Sequence, residues 1–437
     1  MSNNDLLNRS RNAVWHPCTQ MKQHETLPIV PIVRGEGPWL IDADGHRYLD
    51  AVSSWWVNLF GHCNEHINMR LREQMEKLEH VILAGFTHQP VVELSERLSA
   101  MTGGALGHAF YASDGASATE IAMKMSAHYW RNVGRNGKNG FVSLAGSYHG
   151  ETVGALAVTD IPLFREAYGP MVRAAATVPS PDARRANDGE GAKDVAVRAA
   201  RALESYLAEH HASIAALIVE PLVQCANGMT MYDPEYLRLA RAICHRYDVH
   251  LIADEIAVGC GRTGSFFAVE QAGIWPDFLC LSKGISGGYL PLSLVLTTDQ
   301  VFDAFYDDDV TRGFLHSHSY TGNALACTAA LATLELFERD DVLVANQQRA
   351  QWMATAAQAL VDHPAVSHVR QRGTILAFDV DARPGFSRTF YRQSLKRGLL
   401  LRPIGNTVYW MPPYVLDEDQ CDWLGRQTLE ALDTALA

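Results

Sequence analysis

No stretch of the 437 residues approaches the roughly eighteen consecutive apolar residues that a membrane-spanning helix needs, so no membrane span is predicted. The opening MSNNDLLNRSRNAVWHP also lacks the apolar core of a secretory signal. Basic charge is in deficit. The 37 Lys and Arg stand against 49 Asp and Glu, a net charge of -12, which argues against nucleic acid or an anionic membrane as the main partner. That balance leaves a small substrate in a shielded cleft open. The eight cysteines, at positions 18, 63, 225, 244, 260, 280, 327 and 421, form no C-x-x-C pair. In so long a chain this predicts reduced thiols and a cytoplasmic metabolic enzyme. Neither an internal repeat nor a long low-complexity segment is present. His316-x-His318 and His62-Cys63-x-x-His66 come with no third ligand, so no metal site is expected.

What is present is an ordinary globular balance, 47% hydrophobic and 20% charged, with length for a large core and a second lobe. Residues 32–50 read as a hairpin around Asp42-Ala43-Asp44-Gly45, whose Asp-Gly step suits a tight turn. From about residue 80 to 330, short apolar runs recur: HAFYAS (108–113), GFVSLAG (140–146), AALIVEP (215–221), HLIADE (250–255) and DFLCLSK (277–283). Amphipathic stretches such as 118–133 and 234–248 lie between them. Buried strands alternating with helices predict an α/β fold with a mostly parallel sheet covered on both faces. Pro179 to Lys193, rich in Asp, Arg, Gly and Pro, reads as a surface excursion. Beyond 330 come helix to about 362 and then RGTILAFDV, GLLLRPIG and TVYWMPP as strands of a smaller α+β lobe. The expected organisation is a large domain over 59–330 and a small domain built from 1–58 and 331–437.

Ligands of parallel sheets sit beyond the carboxyl ends of the strands. Glu220 closes ALIVE, Asp254 closes HLIAD, and Lys283 follows DFLCLS, 29 residues after Asp254. A buried carboxylate can keep a pyridine nitrogen protonated, and a lysine can form a Schiff base with an aldehyde and then shuttle a proton. Taken singly, Asp254 reads more readily as a turn cap and Lys283 as a solvated lysine. Three further features change that reading. Asp114-Gly115-Ala116-Ser117 precedes a helix, and its backbone N–H groups and dipole suit a phosphate. Tyr148-His149-Gly150 follows a strand and puts an aromatic face where a planar ring stacks. Ser319, in HSHSYTGN (316–323), is a candidate second phosphate donor before another helix. Together they are the parts of one cofactor site, that of pyridoxal 5'-phosphate. GCGRTG (259–264) formally matches a dinucleotide fingerprint, the basis of a rival nicotinamide dehydrogenase reading. It opens no helix, however, and Asp277 follows Gly264 by only 13 residues, where an acid about twenty on is needed.

The segment LIADEIAVGCGRTGSFFAVEQAGIWPDFLCLSKGISGG (251–288) resembles the signature region of class III (ω) aminotransferases, and the resemblance runs from about residue 14 to 430. Rarer strings resemble the branch of that class serving biotin synthesis: WHP (15–17), SSWWVNLFGH (53–62), THQPVVELSERL (87–98), AMKMSAHYW (122–130) and LRPIGNTVYWMPPY (401–414). The resemblance implies a fold-type I enzyme and a homodimer with active sites at the subunit interface. It implies that Lys283 binds the cofactor aldehyde, Asp254 partners the pyridine nitrogen and Tyr148 stacks on the ring. Gly115, Ala116 and Ser317 would serve the cofactor, with Ser319 reaching its phosphate from the neighbouring subunit. Trp55, Trp56, Arg402, Arg262 and Cys18 would serve the substrate. The implied reaction is transamination of 8-amino-7-oxononanoate to 7,8-diaminononanoate with S-adenosylmethionine as donor. An ω-aminotransferase using a small oxo acid such as pyruvate is the alternative. An aliphatic acceptor ending in a carboxylate suits an apolar tunnel closed by a guanidinium, and a sulfonium suits an indole face. Trp55 and Trp56 read as neighbours on a strand, pointing to opposite faces. Arg402 sits between Leu399-Leu400-Leu401 and Pro403, a setting that predicts burial.

The chain departs from the family pattern in four places. Cys18 replaces a Tyr, Glu151 replaces an Asp, Ala116 replaces a Ser, and Ser317-His318-Ser319 replaces Gly-Pro-Thr. The first two touch substrate recognition, so they bear on the identity of the amino donor.

Overall fold

The computed structural model describes every residue except Met1 and Pro28. The chain divides into two compact units, residues 69–343 and residues 1–68 with 344–437.

The larger unit is built on a seven-stranded sheet. In spatial order its strands are His108–Ala112, Ser293–Thr297, Phe278–Leu281, His250–Asp254, Ile214–Val219, Gly140–Leu144 and Ala176–Val178. Ile214–Val219, His250–Asp254 and Phe278–Leu281 are buried at every position, as strands covered on both faces must be. Ser293–Thr297 runs against both its neighbours. The chain returns from Lys283 to Ser293 too quickly for the crossover helix that a parallel neighbour needs, so the strand comes back antiparallel. Neither this strand nor the three-residue edge strand Ala176–Val178 is among the strands predicted from the sequence.

Helix Gly115–Asn132 covers one face through Ala118, Ile121, Ala122, Met125 and Tyr129, a helical stripe seated on Ile218, Ile252, Phe278 and Val295. Within this core, His250 is stacked on Trp130 at 4.6 Å and meets Ser126 Oγ through Nδ1 at 2.9 Å. Burial pushes its pKa down from 6.5 to about 4. The unfolded chain therefore takes up the proton first. This contribution to stability is complete above pH 6.5 and falls away as the pH drops towards 4. The full loss amounts to about 3 kcal/mol. Denaturant unfolding at pH 7.5 and 4.5 is expected to show a smaller acid loss in His250→Gln than in the parent protein. An identical loss in both would remove His250 from the account.

Pro179 to Lys193 is less of a surface excursion than its composition predicts, because Ser180, Pro181 and Asp182 are buried. Ser180 Oγ donates to Gln224 Oε1 at 2.5 Å, and Arg184 joins Asp182 to Thr230. Polar residues enter the interior here because each finds a partner.

In the smaller unit the expected hairpin is a three-strand meander, Ile32–Glu36, Trp39–Asp42 and Arg47–Asp50, extended by Leu399–Leu400 in parallel with the last. Only those two residues of GLLLRPIG are strand, and Arg402 lies beyond them. The buried carboxylate of Asp42 accepts from His46 N (2.9 Å), Tyr48 OH (3.0 Å) and Asn3 Nδ2 (2.8 Å), tying the first helix to the turn. Burial alone would raise its pKa, but these bonds outweigh it and hold the group at about 2. Val366–Arg372, Ile375–Val380 and Thr407–Trp410 form a second sheet, and Glu418–Leu436 is the closing helix. Among the described residues, no helix is long and apolar enough to cross a membrane. Among the described residues no disulfide joins the eight cysteines, and six of them are buried.

Candidate active site

In the larger unit, three strand ends and one helix start converge. Asp254 is the last residue of its strand, paired in register with Cys280, three residues before Lys283. Its Oδ1 accepts from Ile256 N at 3.1 Å. Its Oδ2 accepts from His149 Nδ1 at 2.7 Å, and the imidazole is fully enclosed. His149 is itself held at both backbone ends, donating N–H to Thr159 Oγ1 (3.0 Å) and accepting Thr119 Oγ1 at its carbonyl (2.9 Å). Its Nε2 is buried without a hydrogen-bond partner.

Glu220 follows the strand Ile214–Val219, and its buried carboxylate bridges Tyr148 N and Cys225 N, each at 3.0 Å. Burial raises its pKa to about 7, with Asp254 adding to the rise and His149 opposing it. The ring of Tyr148 lies 5.5 Å from Phe164, and its hydroxyl donates to Glu151 Oε1 at 2.9 Å. Lys283 takes a left-handed conformation, φ +47°, on leaving Ser282. Burial lowers its pKa, against the attraction of Cys225, Asp254 and Glu220. An amine with a depressed pKa among carboxylates at a strand end is suited to nucleophilic and proton-transfer work.

The helix start is fitted closely against these groups. Asp114 caps it, accepting Ser117 N at 2.9 Å. A Cβ on Gly115 would come within 2.9 Å of Ile256, and one on Gly150 within 2.5 Å of the Ala116 Cβ. Small residues at 115, 116 and 150 thus let the first N–H groups of the helix approach the Asp254 and His149 loops.

Arg262 is buried in the turns after Asp254, in the field of Cys225 and Cys260. GCGRTG forms turns with no strand directly before it and no helix opening from it, as the dehydrogenase reading would require. Ser317 and Ser319 are exposed. Among the described residues, no hydrogen bond joins either to the Asp254 cluster. The Ser319 carbonyl instead accepts from His80 Nε2 at 2.8 Å.

In the smaller unit, Trp55, Trp56, Arg402 and Cys18 come together. Trp55 and Trp56 are not on a strand. Ser53, Ser54, Trp55 and Trp56 all have positive φ, at 50°, 46°, 74° and 73°, a short left-handed turn without glycine. Each residue of such a turn costs about 1–2 kcal/mol. The opposite-faces expectation still describes the outcome. Trp56 is buried, with Nε1 donating to Tyr409 OH at 3.1 Å, and Trp55 is 44% exposed. The Arg402 guanidinium lies 4.7 Å above the Trp55 ring and donates through Nη2 to the Cys18 carbonyl at 3.1 Å. Arg402 is exposed, against the burial its apolar neighbours predict, because its strand ends at Leu400. Cys18 holds it through the backbone, a bond any residue at 18 can supply.

Sequence reasoning left His149, Glu220 and Asp50 unassigned. Tyr148-His149-Gly150 carried the only signal for the first, and the position of Glu220 after ALIVE the only signal for the second.

The chain belongs to the class-III aminotransferases, whose family pattern matches residues 19–435. It is 44% identical over 429 residues to the adenosylmethionine-8-amino-7-oxononanoate aminotransferase of Helicobacter pylori, covering 96% of each chain. The crystal structure of the adenosylmethionine-8-amino-7-oxononanoate aminotransferase of Methanocaldococcus jannaschii superposes with a TM-score of 0.92 at 33% identity, over 98% of this chain and 99% of that one. An omega transaminase from Pseudomonas jessenii, solved in complex with PMP, gives a TM-score of 0.93 at 28% identity over 98% of both chains.

Proposed function

We propose that this aminotransferase moves the amino group of S-adenosylmethionine onto the ketone of 8-amino-7-oxononanoate, giving 7,8-diaminononanoate for biotin synthesis, with pyridoxal phosphate as its cofactor. The observation that carries this reading is the convergence of Lys283, Asp254 and Glu220 in a chain 44% identical, along 96% of its length, to a relative named for that reaction.

The residues present fit the cofactor. The side-chain-free Gly115 and the short Ala116 at a helix start suit a phosphate, and Asp254, anchored by His149, suits a pyridinium nitrogen. When bound, pyridoxal phosphate supplies the electron sink that accepts the pair released at the substrate carbon. Lys283 Nζ would hold the aldehyde and, once released from it, would move a proton at the substrate carbon. Asp254 would partner the ring nitrogen and Tyr148 would offer its face to the ring, its backbone fixed by Glu220. Ser317 and Ser319 serve a phosphate in a homodimer, with Ser319 arriving from the neighbouring subunit. The exposed Ile82, Phe86, Leu163, Tyr306 and Leu315 of the larger unit support an interface between subunits. Trp55, Trp56, Arg402, Arg262 and Cys18 recognise substrate. The Arg402 guanidinium takes the carboxylate and the Trp55 indole offers a face to the sulfonium. The cytoplasm, where thiols stay reduced, is the compartment such a protein suits.

Donor and acceptor are tested together by supplying 8-amino-7-oxononanoate with S-adenosylmethionine, lysine or alanine. The expected result is 7,8-diaminononanoate formed fastest from S-adenosylmethionine. Faster turnover with lysine or alanine would reassign the donor and point to Cys18 and Glu151. No product from any donor, with pyruvate accepting amines instead, would replace the acceptor.

A further inference from the structure

The left-handed turn at Ser53–Trp56 needs a hold, and one buried side chain supplies two bonds to it, both to Ser54. Conformations of this kind persist only where their surroundings over-determine them, and they cluster at ligand clamps. Asp50, at the end of the strand Arg47–Asp50, is completely buried. Its Oδ1 accepts Ser54 N at 2.8 Å and its Oδ2 accepts Ser54 Oγ at 2.6 Å. Oδ2 also accepts His62 Nε2 at 3.0 Å, and His62 Nδ1 lies 3.2 Å from Asn58 Nδ2. Gly35 makes room for that imidazole, because a Cβ there would come within 2.4 Å of the His62 Cβ. On the far side, Ser53 Oγ donates to the Met411 carbonyl at 2.8 Å. The turn offers Ser54 and the Trp55 indole to solvent, with Arg402 over the indole.

We propose that Asp50 is a positioning residue for carboxylate recognition. By clamping Ser54 it fixes the left-handed turn that holds Trp55 beneath Arg402, and so aims the guanidinium at the carboxylate of the amino acceptor. This rests on the substrate role given to Arg402 above. The indole limits the guanidinium to one plane and the Cys18 carbonyl takes one of its N–H groups. The remaining N–H groups are thereby presented as a fixed fork for a carboxylate. In Asp50→Asn the amide keeps one acceptor for Ser54 but turns an NH2 towards Ser54 Oγ and the His62 N–H, so the turn loses its hold.

The test compares kcat/KM of the holoenzyme for 8-amino-7-oxononanoate and for its methyl ester, which has the same chain without the charge. The parent protein is expected to favour the acid by about 10–100-fold, the range of a charge-assisted pair. Arg402→Ala is expected to abolish that preference, and Asp50→Asn to lower it about tenfold, chiefly through KM. Should Asp50→Asn fold poorly, Ser54→Ala removes only the 2.6 Å bond and is read by the same ratio. A purely structural role would lower acid and ester together, and that result, or an unchanged ratio in both variants, overturns the proposal. Were the parent to show no preference, or Arg402→Ala to keep it, the substrate reading itself would fall and this inference with it. A preference lost in Arg402→Ala but kept in Asp50→Asn and Ser54→Ala would sink the Asp50 inference alone.

Discussion

Lys283→Ala is expected to lower turnover by about 10⁴-fold or more while leaving the fold intact, because in the proposed reading the same amine binds the cofactor aldehyde and moves the proton. Folding should survive because the deletion removes a group the interior does not favour. Burial already pushes the Lys283 pKa down, and Asp254 and Glu220 only partly restore it. Position 283 also carries a left-handed backbone, φ +47°, that any side chain pays for. Lys283→Gly should therefore be inactive yet more stable than Lys283→Ala, by about 1 kcal/mol. Borohydride reduction of the holoenzyme followed by peptide mapping checks the assignment directly, and label at any other lysine would refute it. An alanine variant that keeps measurable transamination with a native melting curve would do the same.

Asp254→Asn is the second large effect. The amide is isosteric but uncharged, so it can still meet His149 Nδ1 but could not hold a proton on a pyridine nitrogen as the proposed reading requires. Loss of that fixed charge is expected to slow turnover about 10²–10³-fold, with substrate KM little changed, since the interaction grows as charge develops in the reaction. His149→Gln should fall between the variant and the parent, because it frees Asp254 to turn without removing its charge. Stopped-flow measurement of each half-reaction separates these cases. An equal drop in kcat/KM and in cofactor affinity for Asp254→Asn, with unchanged chemistry once saturated, would make Asp254 a binding group only.

Glu220 adds a pH dependence to this site. Burial raises its pKa to about 7, so it gains charge through the neutral range while bridging Tyr148 N and Cys225 N. A group raised in the folded state disfavours folding once the unfolded chain has ionised it. Its contribution is therefore most favourable in acid and declines between the ordinary carboxylate range and pH 7.

Much of the larger unit was legible because buried parallel strands announce themselves. HLIAD, AALIV and DFLCL are continuous apolar runs, and the residues closing them had to fall at a sheet edge. Ser293–Thr297 escaped because SLVLT follows Lys283 without a helix between, so nothing in the alternation of strands and helices announced it. The left-handed turn was invisible for a different reason. Ser53-Ser54-Trp55-Trp56 contains no glycine, asparagine or aspartate, the residues that ordinarily mark positive φ. Its cause lies in Asp50, Met411 and Tyr409, two of them more than 350 residues away.

By itself the sequence determined the α/β class, the strand-end positions of Asp254 and Lys283, and the helix start at Gly115. These follow from local apolar patterning and from glycine, which act over a few residues. The tertiary structure alone decided that His149 locks Asp254, that Glu220 fixes Tyr148, and that a buried Asp50 bends Trp55 beneath Arg402. Those are pairings between side chains far apart in the chain. Their geometry arises only when burial removes water and each polar group must find its partner inside the protein.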